Sequence, residues 1–476
     1  MPELTLGKIE RWADGEWEGG VKPDFAVVVD DLSTDTRSIR SGSVFVALGP
    51  GAGGEAPRED TTFDGHDFVD EAFERGASAA IVERRWGNEV WQKSRWQGRR
   101  SVLLVGDTLR AFGDVAGGYR QQFDIPVVGV VGSAGKTTTK EMIAAVLGRC
   151  YSVLKTEGTD NNEIGVPKVL LRLTAQHEVA VVEMAARRMG DISYLCEIAR
   201  PTIGLLLNIG TAHLEFFESV ERVAKAKGEL LDYVGGESSV ALVNADDCVV
   251  AKEAMRTKGR LLGFGLGRGS HISGEGLVLD QEGCGHFSLQ HHPVELKIPG
   301  QHNVYNALAA AAVGISCGVP TAQICAALSA FKAVERRCEI LRKNGICVIN
   351  DCYNANPASV QAALDVLTSI EVEGRRIAVL GDMLELGRQG PQLHAQIGQQ
   401  IASKGIDRLA VLGPMGQHTV AGAIAAGFDA GRASHFEDKE SLGDFMESFV
   451  ECGDLVLIKG SRSIALEEIV DRVLSS

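Results

Sequence analysis

The sequence predicts an α/β protein of three domains, and three observations lead to this prediction. The 476 residues exceed what one hydrophobic core holds, since typical domains contain about 100–150 residues. Short β-branched runs alternate with amphipathic segments, the pattern of parallel sheets covered by helices. A glycine turn at residues 132–135 joins one such run to a helical segment, as in mononucleotide-binding folds. We expect an N-terminal α/β domain (residues 1–123), a central P-loop doubly wound domain (residues 124–331) and a C-terminal Rossmann-like domain (residues 332–476).

Charge and composition limit the possible partners and locations. The net charge of −15 argues against nucleic-acid and anionic-membrane partners, because both need a basic face. No run approaches the roughly 18 apolar residues of a membrane span, and the start of the chain lacks a basic-then-apolar signal pattern. We therefore expect the protein in the cytoplasm. A monomer is a separate expectation, which these observations do not address. The ten cysteines form no Cys-x-x-Cys pair, so we expect reduced core residues, among them Cys150, Cys196, Cys317 and Cys325.

The first predicted domain begins as an alternation of strand and helix. Residues 44–48 and 79–82 are strand candidates, residues 68–75 form a helix candidate, and Gly76 stands at its C-cap position. Just before the first strand, residues 33–38 bring hydroxyls, a carboxylate and a guanidinium together. A solvated turn is one interpretation of this segment, and the sequence leaves it open.

The second predicted domain opens with a phosphate-binding loop. The apolar run 127–131 leads through Gly132, Ser133, Ala134 and Gly135 into Lys136, Thr137, Thr138 and a helical segment. Glycines let backbone N–H groups approach phosphate oxygens, the helix presents its positive end, and the lysine adds a charge. The Thr137 hydroxyl is expected on Mg²⁺. Val130 stands where the strict motif has a small residue, and the alternative is an ordinary glycine turn.

Two polar residues follow the next apolar runs. Glu183 ends the run 179–182, and His213 follows the run 203–207. Because ligands collect beyond the carboxyl ends of parallel strands, we expect both at the same edge as Lys136. A carboxylate there suits Mg²⁺, which prefers hard oxygen ligands. The alternatives are a helix N-cap for Glu183 and a satisfied loop histidine for His213.

Lys227 lies on the apolar face of the helix after His213, four residues after Val223 and three before Leu230. Burial lowers the pKa of a lysine, and a neutral amine can react with CO₂ to give a carbamate of charge −1. Near Mg²⁺ that change would convert a repelled group into a ligand. The alternative is a lysine whose stem runs along the apolar face to water.

Two further polar clusters stand at helix starts. An alanine-rich helix that extends to about residue 316 begins with His302, Asn303 and Asn306. One helix start requires fewer capping side chains than these three. Some of them are therefore interpreted as nucleotide contacts, and the alternative is that they cap the helix. In the third predicted domain, Asn356 as N-cap and the proline after it start a helix. That start leaves Asp351, Tyr353 and Asn354 in the crevice after the strand at residues 346–349. Three more strand-then-glycine units end at residues 381, 413 and 459–462.

These motifs resemble the Mur ligase family along essentially the whole chain. The family motifs, in family order, are Gly-x-x-Gly-Lys-Thr-Thr at residues 132–138, Asn161-Asn162-Glu163-Ile164-Gly165, Glu183-Met184, residues 208–213, residues 300–306, Arg337 and Lys459-Gly460-Ser461-Arg462. The family pattern also accounts for Val130. Two stretches, at residues 351–359 and Leu380-Gly381-Asp382-Met383-Leu384-Glu385-Leu386-Gly387, resemble the subfamily that adds D-alanyl-D-alanine to UDP-N-acetylmuramoyl-tripeptide. Thr159, Asp160 and Ala185 depart from the family pattern.

The resemblance implies an ATP-dependent amide ligase of peptidoglycan precursor synthesis that works through an acyl phosphate. It implies ATP and two Mg²⁺ ions as cofactors, and carbamylation of Lys227 as a modification. The implied partners are UDP-N-acetylmuramoyl-tripeptide and D-alanyl-D-alanine. The implied catalytic and metal residues are Lys136, Thr137, Glu183, His213 and Lys227. The implied nucleotide contacts are residues 132–138, Asn303, Asn306, Arg337, Asp351, Tyr353 and Asn354. The implied substrate contacts are Thr34, Asp35, Thr36, Arg37, Asn161, Asn162, Asn356, Lys459 and Ser461.

Two classes of alternative function remain. The nearer is another amide ligase of the same fold, such as a Mur ligase with a different amino-acid acceptor or a folylpolyglutamate synthetase. The further one is a non-enzymatic protein that binds a nucleotide on this fold.

Overall fold

The computed structural model describes residues 3–19, 24–50, 64–89, 91, 94–211 and 213–475. The chain divides into two compact units, each described by itself. The first comprises Met1–Gly129, Tyr151–Ala186 and Gly190–Thr202. The second comprises Val130–Cys150, Arg187–Met189 and Ile203–Ser476.

Helices and strands alternate along most of the chain. Up to residue 131 they are α1 (Leu6–Ala13), β1 (Glu16–Gly19), β2 (Leu32–Ser33), β3 (Val44–Val46), α2 (Val69–Glu74), β4 (Ala79–Glu83), α3 (Arg84–Glu89), β5 (Ser101–Val105), α4 (Thr108–Arg120) and β6 (Val127–Val131). Up to residue 233 they are α5 (Lys136–Leu147), β7 (Val153–Lys155), α6 (Gly165–Leu171), β8 (Val179–Glu183), α7 (Asp191–Ala199), β9 (Ile203–Leu206), α8 (Leu214–Phe217) and α9 (Val220–Tyr233).

The remaining elements complete the second unit. Up to residue 330 they are β10 (Val240–Asn244), α10 (Cys248–Ala254), β11 (Arg260–Gly265), β12 (Ile272–Leu279), β13 (Cys284–Leu289), β14 (His292–Pro299), α11 (Gln301–Ser316) and α12 (Thr321–Ala330). The last are β15 (Glu339–Lys343), β16 (Ile346–Asn350), α13 (Pro357–Ser369), β17 (Arg376–Gly381), α14 (Gly390–Ala402), β18 (Arg408–Leu412), α15 (Gly416–Ala425), β19 (Ala433–Phe436), α16 (Lys439–Phe449), β20 (Leu455–Lys459) and α17 (Glu467–Ser475).

The strands of the described residues form three sheets, which confirms the predicted α/β class. In the first unit, a five-stranded sheet has the order β1-β5-β4-β3-β2, and only β1 runs antiparallel to its neighbour. The first unit also contains the parallel pair β7 and β8. In the second unit, β9 to β12 are parallel neighbours, and β12 to β14 continue as an antiparallel meander.

The third sheet is covered by helices on both faces. Its order is β15-β16-β20-β17-β18-β19, with β15 antiparallel and the other pairs parallel. Alternate residues of β17 face opposite sides: Ala378 and Leu380 pack in the cluster with α13 and α14, whereas Ile377 and Val379 pack in the cluster with α16 and α17. A sheet of this kind presents its ligand-binding loops at the carboxyl ends of its strands.

Two expectations from composition can be compared with the structure. All ten cysteines are free; Cys196 and Cys325 are buried as expected, but the prediction that Cys150 lies in the core is wrong, because it follows α5 at an exposed position. Cys317 is only partly buried. No helix in the described part of the chain combines the length and apolar character needed to cross a bilayer.

Candidate active site

The phosphate-binding loop has the predicted strand–turn–helix form. β6 ends at Val131 and α5 begins at Lys136, with Gly135 in the left-handed region at φ 78°. The Lys136 Nζ donates to the carbonyl oxygen of Gly132 at 3.0 Å, so the lysine folds back over the loop. Thr137 and Thr138 follow in the first turn of α5 and are buried. A helix N-terminus with a lysine folded over it is suited to binding phosphate.

Asn208 holds this loop in shape from the end of the neighbouring strand. Its Oδ1 accepts from the backbone N–H groups of Ser133 at 3.0 Å and Ala134 at 2.9 Å, and its Nδ2 donates to the Ala134 carbonyl at 3.0 Å. The Gly210 N–H donates to the Ser133 hydroxyl at 2.8 Å. The backbone N–H groups of Ser133 and Ala134 are therefore both hydrogen-bonded to Asn208 in this structure. Asn208 was not among the predicted site residues, although its place two residues after the end of β9 could have indicated it.

The asparagines at the start of α11 also face the loop. Asn306 Oδ1 accepts from the Thr139 hydroxyl at 3.1 Å, and its Nδ2 donates to Asn303 Oδ1 at 3.0 Å. Asn303 Nδ2 donates to the Pro299 carbonyl at 2.7 Å. Both side chains are buried, so their amides join α11 to α5. Their contact with a nucleotide stays a prediction.

Gly135 is expected to tolerate no side chain. A Cβ at this position would lie 2.6 Å from Asn306 Oδ1, and a left-handed conformation costs a non-glycine residue about 1–2 kcal/mol. Gly318 offers a matched control, because it has the same φ of 78° with nothing within 4 Å of an added Cβ. We expect Gly135→Ala to lose more unfolding free energy than Gly318→Ala in urea titrations, and to lose ATP binding as well. Equal losses would show that the contact with Asn306 has no effect.

Lys227 is a buried lysine of the second unit. It lies in α9 with only 1 % of its surface exposed, and its ammonium makes no hydrogen bond or ion pair with any described residue. Burial, with a smaller contribution from the positive Lys136, lowers the pKa of Lys227 to about 7. The predicted buried position is confirmed. The interpretation that the side chain extends to water is wrong, because only 1 % of the residue's surface is exposed.

His213 lies at the start of α8 and contacts a loop of the third sheet. Its Nδ1 is 2.5 Å from Glu385 Oε2, in the loop after β17. Burial lowers the pKa of His213, the Glu385 contact opposes that change, and Lys136 and Lys227 both lower the pKa further. The hydrogen bond to His213 lowers the pKa of the Glu385 carboxyl. Lys136, Lys227 and His213 therefore lie near one another, as the shared strand edge predicted for Lys136 and His213.

Glu183 ends β8 in the first unit, with 1 % of its surface exposed. Asn161 Nδ2 donates to Glu183 Oε1 at 2.8 Å, and the Glu183 N–H donates to the Thr156 hydroxyl at 3.0 Å. The N-cap interpretation of Glu183 is wrong, because the next helix, α7, begins only at Asp191. Asn162 Oδ1 accepts from the N–H groups at the start of α6. Asn161 thus orients Glu183, whereas Asn162 shapes a turn.

The segment from Thr34 to Arg37 forms a turn in the first unit. Asp35 Oδ2 accepts from Arg37 Nη2 at 2.7 Å, and Asp35 Oδ1 accepts from the Arg37 N–H at 2.9 Å. The hydrogen bonds from Arg37 lower the pKa of Asp35 to about 2. Thr36 is buried, whereas the Arg37 side chain is 84 % exposed. The contact of this segment with a UDP-sugar stays a prediction.

The buried Lys459 forms an ion pair with the partly buried Asp351 at the carboxyl edge of the third sheet. Lys459 is 2 % exposed, and its Nζ donates to Asp351 Oδ2 at 2.6 Å and to the Asn354 carbonyl at 2.8 Å. Asp351 Oδ1 also accepts from the Cys338 N–H at 3.1 Å. In this structure the pair fixes the loop between β16 and α13. The predicted ligand contacts of Lys459, Asp351 and Asn354 remain predictions.

Arg337, Asn356 and Ser461 have different surroundings. The Arg337 guanidinium lies 4.0 Å from the ring centroid of Tyr353 and forms no ion pair within the described residues. Such stacking leaves its N–H groups available for an anion. Asn356 caps α13 through the Ser359 N–H, and its Nδ2 lies 3.4 Å from the Ser133 carbonyl of the phosphate-binding loop. The Ser461 hydroxyl accepts from the Leu384 N–H at 2.9 Å.

The N-terminus of α5 and the folded-back Lys136 make the second unit suited to binding phosphate groups. No group of three or more His, Cys, Asp and Glu side chains suited to a metal occurs in the described ranges. Mg²⁺ fits this arrangement, because it is commonly bound through one or two carboxylates together with substrate phosphates and water. The buried amine of Lys227, with its lowered pKa, suits conversion to such a carboxylate.

Comparisons with known proteins agree with this geometry. Residues 130–314 match the model of the Mur ligase middle domain, and residues 336–462 match the model of the Mur ligase, glutamate ligase domain. The UDP-N-acetylmuramoyl-tripeptide--D-alanyl-D-alanine ligase of Synechocystis sp. is 37 % identical over 94 % of this chain and 92 % of its own length. The Escherichia coli ligase of the same name is 36 % identical over 99 % of this chain and 98 % of its own.

Solved structures give the same result. The crystal structure of MurF from Acinetobacter baumannii matches this chain with a TM-score of 0.87 and 29 % identity, and the match covers 100 % of both chains. The structure of MurF ligase from Thermotoga maritima in complex with ADP has a TM-score of 0.79 and 30 % identity, covering 94 % of this chain and 97 % of that one.

Proposed function

This chain belongs to the Mur ligase family, and we propose that it is the ATP-dependent ligase that joins D-alanyl-D-alanine to UDP-N-acetylmuramoyl-tripeptide in peptidoglycan precursor synthesis. The observation that carries this function is the match, over nearly the whole chain, with relatives named for this one activity. The phosphate-binding loop with Lys136 and the buried Lys227 supports it independently.

The reaction needs an activated carboxylate, because a free carboxylate resists attack by an amine. An oxygen of the tripeptide's terminal carboxylate attacks the γ-phosphorus of ATP, ADP leaves, and an acyl phosphate forms. The amine of D-alanyl-D-alanine then attacks the acyl carbon, loses a proton, and phosphate leaves as the amide bond forms. The N-terminus of α5 and Lys136 are proposed to stabilise the charge on the transferred phosphoryl group.

Mg²⁺ is proposed to be held by Thr137, Glu183, His213 and the carbamate of Lys227, with two ions in all. When bound, it would neutralise charge on the phosphate oxygens. The lowered pKa and the enclosed amine of Lys227 support carbamate formation, since only a neutral amine reacts with CO₂. In this proposal Asn161 orients Glu183 through its 2.8 Å hydrogen bond.

The other binding residues are part of the same proposal. Arg337 and Tyr353, with residues 132–138, Asn303, Asn306, Asp351 and Asn354, are proposed to surround the nucleotide. The UDP-linked substrate is proposed to contact residues 34–37, Asn161, Asn162, Asn356, Lys459 and Ser461. We also propose domains at residues 1–123, 124–331 and 332–476, and a monomer in the cytoplasm, where ATP and UDP-linked precursors are found.

An amine-acceptor screen tests the function. Phosphate release from ATP is expected only when UDP-N-acetylmuramoyl-tripeptide and D-alanyl-D-alanine are both present, because the acyl phosphate must form and then be consumed. Tripeptides ending in diaminopimelate and in lysine are tested side by side. Turnover with a single amino acid as acceptor would indicate another Mur ligase, and turnover with a folate and glutamate would indicate a folylpolyglutamate synthetase. Nucleotide binding without turnover in any combination would exclude an enzyme of this class.

A further inference from the structure

The loop after β17 packs closely on the segment that carries His213. The Glu215 N–H donates to the Glu385 carbonyl at 3.0 Å, and Gln389 Nε2 donates to the Glu218 carbonyl at 3.3 Å. Gly387 has a φ of 55°, and a Cβ there would lie 3.0 Å from the Glu215 Cα. The two backbones therefore meet with no room for a side chain between them.

The Glu385 carboxylate uses both of its oxygens at this contact. Oε2 lies 2.5 Å from His213 Nδ1, and Oε1 lies 3.3 Å from Arg187 Nη2. Glu385 has a φ of 60°, a left-handed conformation that residues other than glycine rarely adopt. The contacts on both sides of the residue hold it in this conformation.

This geometry determines the tautomer of the imidazole. An ionised carboxylate can only accept hydrogen bonds, so the proton of a neutral His213 must be on Nδ1. Nε2 then carries the lone pair, and it makes no hydrogen bond within the described residues. Ligating histidines are commonly oriented through the opposite ring nitrogen in this way.

We propose that Glu385 is a positioning residue for the ligation reaction: it fixes the orientation and the Nδ1–H tautomer of His213 when the loop after β17 rests on the segment that begins at His213. This inference rests on the proposed function for its effect on rate. Its structural part, the tautomer, does not depend on that function.

A solvated ion pair is the competing explanation, since exposed pairs contribute little to stability. Such a pair would leave turnover unchanged when it is removed. Gln389 provides a matched control, because it contacts the same segment through the Glu218 carbonyl without touching His213. Gln389→Ala tests docking of the loop alone, whereas Glu385→Ala also removes the partner of the imidazole.

The kinetic test compares Glu385→Ala, Glu385→Gln and Gln389→Ala in the full chain. We expect Glu385→Ala to lower kcat by about 10- to 100-fold, with the KM values for ATP and D-alanyl-D-alanine changed less than about twofold. Glu385→Gln should recover part of kcat, because its carbonyl oxygen can still accept from Nδ1. In a His213→Ala background, Glu385→Ala should have little further effect. A wild-type kcat, or losses that multiply in the double variant, would overturn the proposal.

A spectroscopic test keeps the inference separate from the proposed function. Histidine ring ¹⁵N spectra of the protein without nucleotide are expected to show His213, assigned with His213→Gln, as the Nδ1–H tautomer. Glu385→Ala should change that signal, and Gln389→Ala should not. An unchanged His213 signal in Glu385→Ala would reject the positioning role even if the acceptor screen succeeds. A changed signal with a failed acceptor screen would reject the function and keep the tautomer assignment.

Discussion

Replacing Lys227 with alanine is expected to reduce ligase activity by about 100-fold or more, since metal ligands contribute at least as much as the groups that orient them. The physical reason is the loss of a buried amine whose pKa is lowered to about 7 and which makes no ion pair with a described residue. The measurement is phosphate release with both substrates at saturation. Short-chain carboxylates such as acetate or propionate are expected to restore part of the activity, because they can place a carboxylate where the carbamate would stand.

Lys225→Ala is the matched control for this variant. Lys225 lies two residues away in the same helix but is exposed, so its removal should leave activity close to wild type and respond to no added carboxylate. A near-wild-type rate for Lys227→Ala, or no rescue by any carboxylate, would contradict the carbamate role.

The amine of Lys227 should also make reactivation of the enzyme by CO₂ depend on pH. With a pKa of about 7, half of Lys227 is neutral at pH 7, whereas at an ordinary lysine pKa about one amine in 2,500 would be neutral. Because the pKa is lowered, the amine of Lys227 loses its proton around pH 7 and not near pH 10. Its neutral fraction then rises from about a tenth at pH 6 to about nine tenths at pH 8. Reactivation of decarbamylated enzyme at constant dissolved CO₂ should follow this rise. A midpoint near pH 10 would show an ordinary lysine.

Replacing Lys136 with alanine is expected to lower ATP turnover by about 100- to 1,000-fold, the usual effect of removing one group that stabilises charge in a transition state. Lys136 is folded over the phosphate-binding loop at 3.0 Å from the Gly132 carbonyl. Binding of UDP-N-acetylmuramoyl-tripeptide, measured by calorimetry, should remain largely intact. ADP release measures turnover.

Carboxylate rescue separates the two lysines. Lys136→Ala should not respond to acetate, because the missing group is a cation, while Lys136→Arg should keep part of the activity. Loss of both ATP turnover and binding of the UDP-linked substrate in Lys136→Ala would show that the two sites are placed wrongly.

The sequence by itself predicted the α/β class, the turn between β6 and α5, and the position of Lys227 on the apolar face of its helix. Each depends on local information: glycine positions, strand-length apolar runs, and the helical period that puts Lys227 on the same face as Val223 and Leu230. The capped start of α13 at Asn356 is local in the same sense, and the structure has it with a full capping box.

Only the tertiary structure decided which distant polar groups meet at the site. Asn208 binds the loop 75 residues before it, Asn306 meets Thr139 across 167 residues, and Glu385 meets His213 across 172 residues. Periodicity indicates which face of an element is buried, but a hydrogen-bond partner depends on how whole elements pack. Lys459 and Asp351 are a further example. Their positions in the sequence motifs predicted contacts with a ligand, and in the folded chain the two side chains bind each other.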